Sequence, residues 1–238
     1  MTADEVTSVF KDQWNAYQWV VDNNLMGHRE LLTAATSFIE DRYRDSPVAM
    51  ADFGCGNSLL IPEMTRSVQL DGYCGIDLAE NALSMAKQLL ECNGIKHQLL
   101  CQDLFSGMPE NSSSPGLIYS AFAVHHGDQQ KKRQFFSKLF QQTPDHCAFV
   151  LADIMIHPHQ GFDDYTQMLE QYFAKQGVRP DWLSHIMTHI RQYDYPETEE
   201  TWLDIVRSSG WKVLQKQSLG PHDEYPAIFM LLEHGKVA

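Results

Sequence analysis

Positive charge is scarce in this sequence: 18 Lys and Arg stand against 31 Asp and Glu, a formal net charge of -13. Such an acidic surface repels phosphate backbones, and no Lys/Arg-rich run compensates locally, so a tight nonspecific nucleic-acid binder is disfavoured. Cysteine is sparse as well. Cys55, Cys74, Cys92, Cys101 and Cys147 are odd in number and contain no C-x-x-C pair, which fits reduced thiols better than a disulfide framework. No apolar run approaches the roughly 18 residues of a membrane-spanning helix. The start, MTADEVTSVFKDQW, has neither the cationic segment nor the apolar core of a signal peptide. The expectation is a cytoplasmic protein without a membrane partner.

What is present is apolar and periodic. Hydrophobic residues make up 43% of 238, enough to bury one full core and expected to form one domain. Val6, Phe10, Trp14, Tyr17 and Val21 recur at helical spacing, and Leu31, Leu32, Ala35, Phe38 and Ile39 repeat the pattern after the DNNLMGHRE break. Strands and helices then alternate: strand 48–53, helix from about 59, strand 72–76, helix 79–93, strand 97–101, strand 117–122, helix 128–142 and strand 147–153. That order predicts a parallel sheet covered on both faces. Residues 157–195 interrupt it with His, Pro, aromatic and acidic residues and read as a helical insertion after the fifth strand. Pro196, a glutamate-rich first turn and Gly210 frame one more helix, and two closing strands, 211–217 and 227–233, complete the chain. The expected divisions are an N-terminal helical lid (1–45), a cofactor-binding core (46–156), the insertion (157–195) and a closing helix with strands (196–238).

The motifs sit where strands end. VAMADFGCGNSLL places Asp52, Gly54 and Gly56 at a strand-to-helix turn, where glycine lets backbone approach a ligand. It lacks the third glycine of G-x-G-x-x-G. GYCGIDLAEN ends the next strand in Asp77, 21 residues after Gly56, where a carboxylate can accept from ribose hydroxyls. LLCQDLF ends the third in Asp103 with Leu104 and Phe105, able to accept an adenine amino proton and pack its ring. YSAFAVHHG ends the fourth with small residues and two histidines.

These segments resemble the class I S-adenosylmethionine-dependent methyltransferases over about residues 48–153. The resemblance implies a Rossmann-like, mostly parallel seven-stranded sheet, with S-adenosylmethionine as cofactor and S-adenosylhomocysteine as its product. It further implies that Asp52, Gly54 and Gly56 hold the methionyl part, Asp77 and Leu78 the ribose, and Asp103 and Leu104 the adenine. A backbone carbonyl near Ser120 or Ala121 would take the amino group. Ser58 stands where many members carry a third glycine. The N-terminal helices and aromatic-rich insertion are similar in layout to small-molecule methyltransferases.

Methyl transfer needs alignment of nucleophile, methyl carbon and sulfur, with a base only if the nucleophile arrives protonated. Candidates for that chemistry are His126, His28 and Tyr17, with His125, Met26, Asp153 and His157 nearby in sequence. Arg179, Arg191 and His189 in the insertion are expected to shape the acceptor pocket. His185 and His189 share a helix face, but without the Glu of H-E-x-x-H or an obvious third ligand the expectation is no metal. The expected function is methylation of a small polar metabolite by a monomer or homodimer. Its rivals are methylation of protein or tRNA, a nicotinamide-dependent oxidoreductase, and a cofactor-binding module that has lost catalysis.

Overall fold

The computed structural model describes residues 15–109, 114–221 and 223–235. A seven-stranded sheet runs through the molecule in the order β3-β2-β1-β4-β5-β7-β6. Its strands are β1 (Val48–Phe53), β2 (Leu70–Asp77), β3 (His97–Cys101), β4 (Leu117–Ala121), β5 (Ala148–Ile154), β6 (Trp211–Leu219) and β7 (Ala227–His234). The first five are parallel, and β7 lies antiparallel between β5 and β6. The chain builds outward from β1 to β3, then returns to lay β4 on the other side of β1. Ligands of open parallel sheets bind in the crevice at such a reversal, outside the carboxyl ends of the strands.

The strand pattern sets the two core layers. On β5, Ala148, Val150, Ala152 and Ile154 face one layer while Phe149 and Leu151 face the other. This is the two-residue period of a sheet buried on both faces. The first layer packs α2 (His28–Tyr43), α4 (Glu80–Cys92), α6 (Phe162–Lys175) and α7 (Pro180–Tyr193) through residues such as Leu31, Leu90, Phe173 and Met187. The second packs α5 (Gln129–Gln142) and α8 (Glu199–Ser208) through Phe135, Phe136, Trp202 and Ile205. The single-turn α3 (Ile61–Met64) follows β1.

Local chemistry fixes the ends. The Asp128 carboxylate accepts the Lys131 N–H at 2.8 Å to start α5, and Thr198 accepts the Thr201 N–H at 3.2 Å to start α8. Gly210 closes α8 at φ +97. The strands fall within three residues of their expected bounds. The helix expected from Leu59 shrinks to α3, because the chain is still turning at Ser58.

Among the described residues, two helices precede β1. The described part of α1 spans 15–22; Val6, Phe10 and Trp14 of the expected helix lie outside the described residues. The break before α2 is tightly built rather than a loose polar linker. Asn24 takes φ +56 and its side chain accepts the Arg29 N–H at 2.8 Å. Gly27 takes φ +84, and a Cβ there would lie 2.6 Å from the Gly220 backbone nitrogen. The insertion supports α1: the Trp19 and Trp182 rings are 6.4 Å apart, and the Tyr172 hydroxyl donates to the Leu25 carbonyl at 2.9 Å.

Candidate active site

The turn after β1 uses left-handed backbone at alternate positions: Gly54 at φ +76, Gly56 at +50 and Ser58 at +56. The two glycines have different physical reasons. A Cβ on Gly54 would lie 2.2 Å from the Ala123 Cβ, so the end of β4 excludes a side chain there. Packing therefore requires glycine at this position even without a ligand, while Gly54 also lines the cavity. A Cβ on Gly56 would meet no protein atom within 4 Å among the described residues, so this is the glycine whose backbone is open to a ligand. Ser58 adopts the glycine-like conformation itself, at a cost of about 1–2 kcal/mol. Its Oγ lies 2.8 Å from the Tyr73 hydroxyl, a buried hydrogen bond that offsets the strain.

Asp52 ends up 1% exposed. Its Oδ2 accepts the Tyr73 hydroxyl at 2.6 Å, whereas Oδ1 has no hydrogen-bond partner among the described residues. Burial pushes its pKa up to about 7, with the Tyr73 bond opposing and the Asp77 charge adding to the rise. Asp77 closes β2 and grips two backbone amides, Gly56 N–H through Oδ2 and Ala79 N–H through Oδ1, both at 2.8 Å. Each oxygen keeps a further acceptor position. Leu78 beside it is 67% exposed, an apolar surface awaiting a partner. Asp103 accepts the Phe105 N–H at 3.0 Å through Oδ1 and is exposed, with Leu104 half-buried next to it.

On β4, Ser120 is fully buried and its hydroxyl donates to the Phe53 carbonyl at 2.7 Å, tying β4 to β1. Its side chain is therefore structural, while Ala121 lines the cavity. Phe122 follows at φ +51, a conformation that bulky residues adopt only where the surroundings enforce it.

Asp52, the 54–61 turn, Tyr119 and Phe122 line one cavity, roofed by Tyr17, Gln18, Val21 and His28 from the N-terminal helices. His28 is 5% exposed, and neither ring nitrogen has a hydrogen-bond partner among the described residues; the same holds for the Tyr119 hydroxyl. Burial lowers the His28 pKa to about 4, Glu30 opposing, so the imidazole is neutral at physiological pH. Tyr17 is 41% exposed as a residue, yet the enclosure of its phenol end and then the Asp77 charge push its pKa up to about 12, so it stays protonated.

The other sequence candidates lie elsewhere. Met26 is core. Arg179 pairs with Asp181 and lies over the Trp182 ring, its guanidinium carbon 4.5 Å from the centroid, and Arg191 pairs with Glu170. Neither lines the cavity, and neither does His126. His125 and His126 instead join His189 around Asp194, with His125 Nδ1 2.6 Å from Asp153 Oδ1. Burial works against a charged His125, but the Asp153 charge and hydrogen bond, then Asp194, outweigh it and raise its pKa. Sequence reasoning missed Tyr73, Tyr119, Phe122 and Asp194. The strand tyrosines carried a signal, a polar hydroxyl inside an apolar run; Asp194 carried none.

A cofactor with a ribose diol, an adenine and a cationic methionyl end fits these groups. Asp77 has spare acceptor capacity, Asp52 offers an unpartnered buried oxygen, and Gly56 leaves its backbone bare. Residues 50–145 match the family model described as a methyltransferase domain. Among solved structures, the chain is similar to magnesium protoporphyrin IX methyltransferase (ChlM) from Synechocystis PCC 6803 with bound SAH. That likeness has 15% identity and a TM-score of 0.66, covering 98% of this chain and 97% of that one. An S-adenosylmethionine-dependent methyltransferase from Clostridium acetobutylicum ATCC 824 gives 14% identity and a TM-score of 0.57, over 94% and 92%. The cyclopropane synthase MmaA2 from Mycobacterium tuberculosis gives 14% and 0.61, over 84% and 83%. No curated protein matches the sequence. The fold is thus that of the class I methyltransferases. The match to a methyltransferase domain spans the part of the chain that holds the strand-end residues Asp52, Asp77 and Asp103.

Proposed function

We propose that this chain is an S-adenosylmethionine-dependent methyltransferase that acts on a small polar metabolite, received in the cavity under α1 and α2. The supporting observation is the set of buried polar atoms facing it: both His28 nitrogens and the Tyr119 hydroxyl lack partners among the described residues. An unsatisfied buried polar atom costs about 1–3 kcal/mol, a cost that a polar ligand removes on binding. Asp52, Gly54 and Gly56 border the same cavity and would hold the methionyl end, with Asp77, Leu78, Asp103 and Leu104 along the adjoining strand ends.

In this arrangement the protein works by orientation. Neutral His28 accepts a hydrogen bond from the acceptor, and the Tyr17 phenol, which keeps its proton, donates one. Holding the nucleophile in line with the methyl group can supply up to about 7–11 kcal/mol of the barrier. With a pKa of about 4, His28 is a weak base at neutral pH, which suits an acceptor whose atom is already deprotonated or uncharged. Tyr17, Gln18, Val21 and His28 cover the cavity in part, and the reacting end lies beneath them, which favours a small acceptor over a folded protein or an RNA helix. The acidic surface argues the same way for RNA.

The test is protection from heat. Metabolite fractions from a cell extract, added with S-adenosylhomocysteine, should contain one small polar compound that raises the melting temperature beyond the cofactor product alone. Protection only by a protein or RNA fraction would overturn the reading.

A further inference from the structure

The histidines behind the fourth strand do not line the cavity described above. Donor atoms of His125, His126 and Asp194 all lie within 4.8 Å of one another. Asp194 Oδ1 is the focus: His126 Nδ1 is 3.3 Å away, His125 Nε2 3.6 Å and His189 Nε2 3.8 Å. That oxygen is buried and has no hydrogen-bond partner among the described residues. We propose that His125, His126, His189 and Asp194 bind one divalent transition-metal ion of the zinc type.

Three observations converge on an ion. First, the separations exceed the 2.7–3.2 Å or so of a direct N–H···O bond. They suit the donor–donor edge of a tetrahedral site, about 3.3–3.6 Å for metal–ligand distances near 2.0–2.2 Å. His189 lies outside that mutually close set and is 3.8 Å from Asp194 Oδ1, so it would join as a fourth ligand only after its exposed ring turns inward. His126 Nδ1 also lies 3.4 Å from the Tyr193 carbonyl, a long contact that it would surrender.

Second, His125 is already arranged as a ligand. Its Nδ1 sits 2.6 Å from Asp153 Oδ1, and Asp153 Oδ2 accepts the His125 N–H at 3.1 Å. A proton shared on Nδ1 leaves the Nε2 lone pair directed at a carboxylate oxygen, an arrangement that a cation between them would relieve. A carboxylate on the far nitrogen is the usual support of a metal-bound histidine.

Third, the donor chemistry selects the metal. Three imidazoles and one carboxylate suit zinc, cobalt or nickel; magnesium and calcium prefer all-oxygen sets. His126 is 37% exposed, so an ion can enter from solvent. The ligands come from the segment after β4 and from the end of α7, so the ion would clamp the insertion onto the sheet.

The experiment uses the full chain after chelator treatment. Co2+ is titrated by its visible absorption, Zn2+ by displacement of Co2+, and S-adenosylhomocysteine affinity is measured on the same samples. One ion per chain is expected, with Zn2+ raising the melting temperature and Mg2+ having no effect. Asp194→Asn and His126→Ala should each weaken metal binding about tenfold or more while leaving cofactor affinity unchanged. Should Asp194→Asn fail to fold, the half-exposed His126 and His189 give the same reading as alanine variants. Absence of one-to-one binding by the wild-type chain, or variants that bind as the wild type does, would overturn the proposal. The cluster would then be a buried proton-sharing His–Asp network.

Discussion

The Asp77 carboxylate accepts the Gly56 amide proton at 2.8 Å, joining the end of β2 to the turn after β1. Its other oxygen holds the Ala79 amide, so the group is fixed before any cofactor arrives. Asp77→Ala should therefore weaken S-adenosylhomocysteine binding through both lost ribose contacts and a loosened turn. Each charged hydrogen bond lost is worth about 1.5–3 kcal/mol, so a fall of at least about tenfold is expected by calorimetric titration. Unchanged affinity in a folded variant would remove Asp77 from the cofactor site.

The two turn glycines should respond differently to alanine. Gly54→Ala forces a methyl group against Ala123 and should destabilise the fold in a denaturant titration. Gly56→Ala meets open space in the free protein, so its stability cost is limited to the backbone term of about 1–2 kcal/mol. Its larger effect should be on cofactor affinity. If Gly56→Ala binds S-adenosylhomocysteine as the wild type does, the cofactor does not pass over that backbone.

Asp52 is expected to make cofactor binding depend on pH. Burial holds its folded-state pKa near 7, above the ordinary carboxylate range, so in the free protein it is largely protonated below that value and charged above it. A cationic methionyl group favours the charged form. Affinity should thus increase as pH rises through about 7, and binding on the acid side should release a proton. Calorimetry in buffers of different ionisation enthalpy reads that proton. Asp52→Asn should abolish both the release and the pH slope.

His28 makes stability depend on pH in the opposite quarter. Its folded-state pKa, lowered to about 4, lies below the unfolded value of 6.5, so the unfolded chain binds more protons between them. The contribution is complete above 6.5 and is lost as pH falls toward 4, on the order of 3 kcal/mol in all. Asp52 runs against it, since a raised carboxylate pKa stabilises at low pH and loses that contribution as pH rises through 7. Comparing His28→Phe with wild type isolates the term: the variant should lose less stability on acidification. Parallel pH profiles would mean that His28 is solvated in the folded state.

The roof helices should respond to the cofactor product. Amide exchange over residues 15–22 is expected to slow when S-adenosylhomocysteine is added, because Tyr17 and His28 line the cavity it would enter. Equal exchange with and without ligand would make α1 an ordinary packed helix, held by core contacts such as those of Val20 and Trp19.

The sheet was legible because its signals are local. Strand β1 begins and ends where the apolar run does, and Asp52, Asp77 and Asp103 stand at successive strand ends as read. The division of labour between Gly54 and Gly56 was not legible, since it depends on Ala123, a residue distant in sequence. Arg179 and Arg191 looked like acceptor contacts in an acidic chain, yet carboxylates of their own helices and neighbours already engage them. The His185–His189 spacing suggested a helix face. What matters for His189 is Asp194, which packing brings beside His125 from 69 residues away in the chain. Pairings of that range leave no periodic trace.

The central claim is that a small polar metabolite accepts the methyl group in the cavity beneath His28. The most direct test supplies S-adenosylmethionine labelled in its methyl group to the purified chain with a cell extract separated into small-molecule, protein and RNA fractions. The account predicts label in the small-molecule fraction, strongly reduced for His28→Phe while cofactor binding persists. Label confined to protein or RNA, or transfer indifferent to His28, would contradict it.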